Sequence, residues 1–296
     1  MKRLIRGFFI FCALAASSAA GEPSYGGRLL SEWLADVRCS SGVRLVVAPN
    51  LPEEAICAIG SNAIPTLLKW ISYEGSSQSF GQIPPGTRWH KLSTGELAET
   101  APSAFGFLGA AARPAIPQLT RLVRTSSEHW RAERCAAALA AIGPEAIPTL
   151  CSLATNGPPW VRYAGAAALE RFCRKPEGLQ TLPALIKCLE DTNTYYSAAG
   201  EAQLSLIVLL ETYPAATLPA LTNALQSPSP EARRLAIGCL QVETESTNFP
   251  PTALPSIRAA MGDSDPQVRS SATNILRQIG EPEAPGANQH LQPTPR

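Results

Sequence analysis

The chain has 296 residues, of which 45% are hydrophobic and 17% are charged, and its 25 lysines and arginines nearly balance its 24 acidic residues. This balance argues against a general binder of nucleic acids or anionic membranes, because such proteins depend on many contacts to phosphate groups. After the N-terminal segment no apolar run approaches the roughly 20 residues of a membrane-spanning helix, so we expect no stable membrane insertion of the mature chain.

The first 20 residues have the pattern of a secretory signal. Lys2, Arg3 and Arg6 precede an apolar run over 7–16, and small residues follow as far as Ala20. A basic start, a short apolar run and a small-residue cleavage site occur in this order in cleaved signals. We therefore predict a signal peptide over 1–20 and export of the remaining chain, to the periplasm or outside the cell. An uncleaved anchor is the alternative.

A helix is predicted over 29–37, within a segment 21–52 that precedes the repeats. Leu30, Trp33, Leu34 and Val37 follow the spacing of one helix face. Such a helix would cover the apolar end of a stack of repeats, which otherwise meets water. We therefore interpret 21–52 as an N-terminal capping segment.

An apolar residue followed by proline recurs six times further along the chain. From the second copy onward the prolines are 31 to 36 residues apart, which is a period of stacked repeats. Proline fits the first turn of a helix, where its missing N–H costs nothing, so each copy predicts the start of a helix. The six are Pro65, Pro117, Pro148, Pro183, Pro219 and Pro255.

A second helix is predicted after each proline helix. Small or apolar residues recur there at i, i+4, i+7, i+8 and i+11, which is one helix face. The stripes begin at Leu97, Val161 and Val268, with partial copies at Cys135, at Ala232 and at Tyr196, Gly200, Leu204 and Ile207.

Polar turns and glycines delimit these helices. The turns at 156–159, 227–230 and 263–266 separate the two helices of a repeat, and Asp265 before Pro266 predicts an N-cap with proline at the first helical position. Glycines follow the second helices at 60, 109, 143 and 280, where a left-handed residue ends a helix. The repeat is therefore helix, turn, helix and glycine.

The segment Asp263–Arg269, with Ala272, Ile275 and Leu276, resembles the HEAT repeats, and in particular their short bacterial form related to phycobilisome-lyase-type repeats. Weaker copies lie at 161–162 and 232–233. The resemblance covers 53–280 and implies an all-α, right-handed α-solenoid of about six to seven helical hairpins. The segment 25–34 is also similar to the start of exported bacterial HEAT-repeat proteins, which implies a cell-envelope location.

The resemblance further implies an arginine ladder, in which turn aspartates pair with arginines of the second helices. The chain departs from this pattern at Trp130 and Arg131, which are offset by one position, and at 196–197, where the valine-arginine pair is missing. The ladder residues are Arg162, Arg233, Asp263, Asp265 and Arg269.

Two segments stand outside the repeat period. The first two prolines are 52 residues apart, and the excess falls in a loop insertion at about 72–95 that contains Trp89 and His90. Insertions into solenoids often take part in binding, although Trp89 packed against the stack is the alternative. The proline-rich segment 281–296 is predicted to be a disordered tail.

A local basic stretch gives the other candidate binding residues. Trp130, Arg131 and Arg134 could meet an acidic partner through charge and stacking, and Arg174 and Arg234 lie in similar short basic runs. The alternative is a solvated helix face that is balanced by acids elsewhere.

Catalysis finds no support in the sequence. The histidines at 90, 129 and 290 lie in no catalytic or zinc-binding motif, and no phosphate-binding glycine loop is present. The seven cysteines outside the signal are interpreted as small buried apolar residues, with one disulfide, or a metal or reactive-thiol site, as alternatives. We expect no cofactor and no metal.

These patterns together favour a non-enzymatic protein-interaction scaffold of the bacterial cell envelope. It would bind an unknown protein or peptide on the concave face, lined mainly by the second helices, and would bind no nucleic acid. One alternative is a phycobilisome-lyase-like protein that acts on a bound chromophore or a modified cysteine. The other is a structural envelope or self-assembly component.

Overall fold

The computed structural model describes residues 21–40, 52–75, 91–242 and 251–280. The predicted signal peptide, the predicted tail and the candidates Trp89 and His90 lie outside the described residues. Within these ranges the chain is almost entirely helical. The helices are α1 (Leu30–Ser40), α2 (Pro52–Ile59), α3 (Ile64–Ile71), α4 (Thr94–Leu108), α5 (Ile116–Arg124), α6 (His129–Ile142), α7 (Ile147–Thr155), α8 (Pro159–Leu169), α9 (Leu182–Cys188), α10 (Ala198–Thr212), α11 (Pro214–Ala224), α12 (Pro230–Val242), α13 (Leu254–Ala260) and α14 (Pro266–Gln278).

Six consecutive helix pairs run from α3/α4 to α13/α14. We call the first helix of each pair the A helix and the second the B helix. Each A helix packs on its own B helix, and each B helix packs on the B helix of the next pair, from α4 through α6, α8, α10 and α12 to α14. The chain is therefore an α-solenoid, in which each pair is held mainly by its neighbours in sequence.

The N-terminal cap consists of a short hairpin and two helices. Strands β1 (Ser24–Tyr25) and β2 (Arg28–Leu29) pair antiparallel across two glycines at φ +60° and +79°, and α1 follows at once. Leu30 and Leu34 of α1 are fully buried, and α1 and α2 both pack against α4. The predicted capping helix is thus present and covers the first B helix.

Proline begins the A helices as the repeats predict, with one exception. It lies in the first turn of α3, α5, α7, α9 and α13, and in each case a short 3-10 turn leads into the helix. In α11 the predicted start at Pro219 is wrong, because Pro214 already begins the helix and Pro219 lies inside it. Both Pro219 and Ala215, whose carbonyl loses its helical donor, are exposed, so no buried hydrogen bond is lost.

The predicted stripe of the B helices is buried in α4, α6, α8, α12 and α14. In α10 the predicted stripe is wrong: Leu204 is 58% exposed, and the buried face starts two residues later, at Ala198. Ser197 caps this helix by accepting the Gly200 N–H at 3.0 Å, so Tyr196 lies before the helix. Counted from Ala198, the buried residues of α10 follow the same i, i+4, i+7, i+8, i+11 spacing, and Ser205 occupies the i+7 position, which is apolar or small in the other B helices.

Two kinds of glycine shape the array. The glycines that follow α2, α4, α6 and α14, at 60, 109, 143 and 280, have φ of +61°, +50°, +138° and +75°, as their predicted role requires. Gly165 in α8 serves close packing instead. A Cβ atom there would lie 2.5 Å from the Ala154 backbone nitrogen, so α7 and α8 approach each other too closely for any side chain.

Candidate interaction surface

Two arginines near the start of B helices fasten neighbouring pairs together. Arg162 donates twice to Asp191, at 2.6 and 3.0 Å, and Arg233 donates twice to Asp263, at 2.8 and 2.9 Å. Each arginine also donates to a carbonyl of its own A–B turn, at 2.7 and 2.8 Å. Since each aspartate lies in the turn of the next pair, this geometry is that of the implied ladder.

The ladder continues at Asp265, which is also the N-cap of α14. One oxygen accepts two backbone N–H groups of the first turn, at 2.9 and 3.1 Å, and the other accepts Arg234 at 3.0 and 2.5 Å. The bonds from Arg234, aided by these backbone donors, lower the pKa of Asp265 to about 2. Arg234, a predicted partner contact, thus has ion-pair partners within the array, while its side chain remains 37% exposed. Arg269 donates to two carbonyls of its own turn, at 2.7 and 3.0 Å.

The predicted partner contacts Arg131 and Arg134 also have structural roles. They are only 8% and 4% exposed. Arg131 donates to Glu74 at 2.5 Å and to the Thr125 carbonyl at 2.7 Å, whereas Arg134 donates to Glu99 at 2.7 Å and to two carbonyls that follow α3. Both guanidinium groups thus link α6 to the preceding pair, which leaves the predicted basic surface without its two central charges.

Arg174 remains on the surface. Its side chain is 71% exposed, and its ion pair with Glu211 is long, at 3.8 Å. An exposed pair of this kind contributes little to stability. Among the predicted basic contacts that the structure describes, Arg174 is thus the one left available.

An aromatic cluster lies where three successive B helices begin. We use this name for His129, Trp130, Trp160, Tyr163, Tyr195 and Tyr196. The Tyr196 ring is at its centre, 5.5 Å from His129, 6.4 Å from Trp160, 6.1 Å from Tyr163 and 4.7 Å from Tyr195 between ring centroids. Trp160 is fixed by donating to the Ser126 carbonyl at 3.1 Å. Only Trp130 among these rings is a predicted contact; the signal that all six share in the sequence is a position just before a B helix or within its first five residues.

The open edge of the aromatic cluster is exposed to solvent. Tyr195 is 83% exposed and Trp130 is 44% exposed, which are high values for such large apolar side chains. The Trp130 ring contacts the His129 ring, with 4.2 Å between ring centroids and an angle of 39° between the ring planes. Exposed aromatic side chains that are held by such contacts are typical of binding surfaces.

Carboxylates lie beside the aromatic cluster, one helical turn further along α6 and α10. Burial raises the pKa of Glu133, and the charges of Glu99 and Glu201 add to this effect, while His129 opposes it. Burial also raises the pKa of Glu201, with a further contribution from Glu170, although a hydrogen bond from Tyr163 lowers it. These carboxylates are therefore crowded and partly desolvated.

The exposed side of the B helices, which we call the B face, has small side chains next to these carboxylates. The equivalent position on this side holds Ser103 in α4, Ala137 in α6, Ala167 in α8 and Gly238 in α12, whereas α10 has Leu204 and α14 has Asn274. Ser103 and Ala137 are exposed, and Ala167 and Gly238 are half-buried. Small side chains leave room for a ligand to approach the helix backbones.

Buried thiols account for most of the described cysteines. Burial raises the pKa of Cys135, Cys188 and Cys239 to about 12 and that of Cys173 to about 11. All six cysteines assigned a state are free thiols, and Cys57 is exposed. In the parts of the chain that the structure covers, no three side chains form a metal-binding group, and no helix is long and apolar enough to span a membrane.

Comparison with known families supports the repeat assignment at the C-terminal end. Residues 218–291, about a quarter of the chain, match the model of HEAT repeats. The last repeats of the chain are therefore similar to HEAT repeats. Comparison with curated proteins gives no match.

Several solved structures are similar to this chain. Kap95 in the Kap95:Nup1 complex has 15% identity and a TM-score of 0.44 over 84% of this chain and 33% of that chain. Importin beta has 16% identity and a TM-score of 0.40, and the match covers 74% of this chain and 30% of importin beta. A designed armadillo repeat protein in complex with the peptide (KR)4 has 17% identity and a TM-score of 0.35 over 73% and 99%. The chain spans about a third of the length of Kap95 and of importin beta.

Proposed function

We propose that this chain is a non-enzymatic scaffold that binds a protein or peptide segment on its B face. Repeat solenoids typically present a long surface to other polypeptides. The observation that carries the proposal is the contrast between the two sets of side chains described above. The ladder arginines are satisfied within the array, whereas exposed rings and crowded carboxylates collect at the start of neighbouring B helices.

Binding to the B face is tested by filling the row of small side chains. The double variant Ala137→Gln/Ala167→Gln places two longer uncharged side chains on that row, while Ala215→Gln/Ala216→Gln makes the same change on exposed positions of the A helix α11. A display library of random peptides is selected on the unchanged chain. We expect the selected peptides to bind the first variant at least tenfold more weakly and the second variant normally.

Two results would contradict the proposal. Equal binding to both double variants would place the ligand away from the B face, and a selection that enriches no peptide would contradict the scaffold role. Circular dichroism of each variant checks that the helical array is intact. Glutamine is a good helix former, so both variants are expected to fold.

We also propose that the scaffold acts after export, in the cell envelope. The support is the N-terminal pattern of basic, apolar and small residues that ends at Ala20. Expression of the full chain in a bacterial host, followed by fractionation and N-terminal sequencing, tests it. A new N-terminus at Gly21 in the envelope fraction is expected, and an intact N-terminus in the cytoplasmic fraction would contradict export.

A further inference from the structure

The aromatic cluster and its neighbouring carboxylates have a chemistry opposite to the one that the sequence suggests. Trp130, Arg131 and Arg134 together predict an acidic partner. In the folded chain both guanidinium groups are buried and paired with carboxylates of the preceding pair, Glu74 and Glu99. The aromatic rings and the acids remain at the surface, so the sign of the available charge is reversed.

The negative charge at this surface is not neutralised by ion pairs. Over the described ranges, neither Glu133 nor Glu201 has a lysine or arginine within ion-pairing distance. Arg134 lowers the pKa of Glu133 but donates to Glu99 instead. Burial and nearby negative charges raise the pKa of both carboxylates, which means that their charged forms are disfavoured, and a cation bound beside them would stabilise those charged forms.

The rings next to these carboxylates are suited to the same kind of ligand. A guanidinium or ammonium group over the face of a tyrosine or tryptophan is attracted by the ring electrons. The chain itself shows this preference at its N-terminus, where the Arg28 guanidinium carbon lies 3.9 Å from the Trp33 ring centroid. Tyr195 and Trp130 expose their rings without such a cation among the described residues.

We propose that the aromatic cluster, with Glu133 and Glu201, is a docking surface for an arginine- or lysine-bearing segment of a polypeptide partner. This inference rests on the proposed scaffold function and adds the chemistry of the partner. Two observations favour a polypeptide over a lone small cation. The carboxylates lie on α6 and α10, two pairs apart with Tyr163 between them, and the row of small side chains continues along the B face.

Fluorescence anisotropy with a labelled peptide tests the proposal. The probe is a nonapeptide with three arginines separated by glycine and serine, and the control peptide has citrulline in place of each arginine. Citrulline keeps the size of the side chain and removes its charge. We expect the arginine peptide to bind at least tenfold more tightly than the citrulline peptide, with weaker binding as salt is raised.

Variants locate the binding. Glu133→Gln/Glu201→Gln should weaken binding of the arginine peptide at least tenfold, and Tyr195→Ala should weaken it severalfold. The matched control Glu53→Gln/Glu54→Gln removes the same charge from exposed positions of α2 and should change the affinity less than twofold. Loss of half-buried repelling charges and of an exposed ring leaves the fold intact, which circular dichroism checks.

Three results would overturn the proposal. They are equal binding of the arginine and citrulline peptides, equal loss of affinity in the α2 control variant, and complete competition by an equal concentration of tetramethylammonium. The last result would assign the cluster to a small cation. If the selected library peptides bind the B face but are not enriched in arginine or lysine, this inference is contradicted, whereas the scaffold function is still supported.

Discussion

Single arginines hold this array together by making two kinds of bond at once. Arg162 and Arg233 each donate to a carbonyl of their own turn and to an aspartate of the next turn. The planar guanidinium group has five donors and can therefore serve both. A lysine at either position would lack the paired geometry, so we attribute the orientation of adjacent pairs in part to these two side chains.

The pair formed by Arg233 and Asp263 should contribute measurably to stability. Both side chains are only 10% exposed, so Asp263→Asn leaves the arginine without its charged partner. The free energy of unfolding is expected to fall by about 1–3 kcal/mol. Urea unfolding followed by circular dichroism measures it. The control Glu231→Gln removes an exposed partner of Arg234 and should change stability by less than about 0.5 kcal/mol; equal effects would contradict the structural role.

Stability should pass through a maximum on mild acidification. Glu133 and Glu201 have pKa values raised above 4.5, so their charged forms destabilise the fold at pH 7 and this cost falls as they take up protons. Hydrogen bonds from Arg233 and Arg234 lower the pKa values of Asp263 and Asp265 from 3.8. The charged forms of these two aspartates therefore stabilise the fold above pH 4, and this stabilisation is lost as the pH falls towards 2. The urea midpoint should therefore rise slightly from pH 7 to 5 and drop below pH 4.

Two variants separate the rise in stability between pH 7 and 5 from the drop below pH 4. Glu133→Gln/Glu201→Gln should abolish the rise between pH 7 and 5 and increase stability at pH 7. Asp265→Asn should lower stability at pH 7 and make the drop below pH 4 smaller. A midpoint that falls steadily from pH 7 in the unchanged chain would show that the two glutamates are not destabilising.

At the level of helices, the sequence predicts where a helix starts and ends better than it predicts which side of the helix is buried. Proline, glycine and capping aspartate act locally, so most A helices, the terminal glycines and the Asp265 cap are found where predicted. The buried face of α10 was misplaced because Ser205 interrupts its apolar stripe and Leu204 is exposed. The burial of Arg131 and Arg134 could not be predicted for another reason: their carboxylate partners are 57 and 35 residues away in sequence, which no local pattern reveals.

The contact between α7 and α8 should not tolerate a side chain at Gly165. Gly165→Ala puts a Cβ atom against the Ala154 backbone, which cannot move aside as a flexible side chain would, and should destabilise the chain by about 1–3 kcal/mol. Gly106 in α4 is the matched control. Its Cβ atom would meet the Ala141 Cβ atom at an ordinary 3.5 Å, so Gly106→Ala should be neutral or stabilising by up to about 1 kcal/mol. Thermal unfolding compares the two, and equal effects would argue against close packing.

The whole molecule is stabilised by a row of interfaces between adjacent pairs. Charged side chains join α6 to the pair before it, α8 to the A–B turn after it, and α12 to the turn before α14. Between the fourth and fifth pairs the described side chains form no ion pair, and the contacts there include hydrogen bonds from Ser227 to Glu190 and from Gln203 to the Leu235 carbonyl. That junction therefore depends mainly on apolar packing between α10 and α12, and we expect it to be the least sensitive to salt.

Damage at one end of the array should stay there. Val268→Ala in α14 and Val123→Ala in α5 each remove methyl groups from a fully buried site, at a cost of about 1–3 kcal/mol. In hydrogen exchange, Val268→Ala should lower protection in α12 to α14 and leave α4 and α5 unchanged. Val123→Ala should lower protection around α5 and α6. Loss of protection along the entire chain in both variants would indicate one cooperative unit instead of an array.

The buried thiols give the unmodified chain a set of built-in reporters. Cys135, Cys188 and Cys239 belong to the second, fourth and fifth pairs, and each is 3% exposed or less. An alkylating reagent reaches such a thiol only after its pair opens, so at a reagent concentration where alkylation is faster than reclosing, the rate at which each cysteine-containing fragment gains mass is the opening rate of one pair. Mass spectrometry of wild-type protein can thus record which part of the array opens first, and whether a bound peptide holds it closed, without any engineered label.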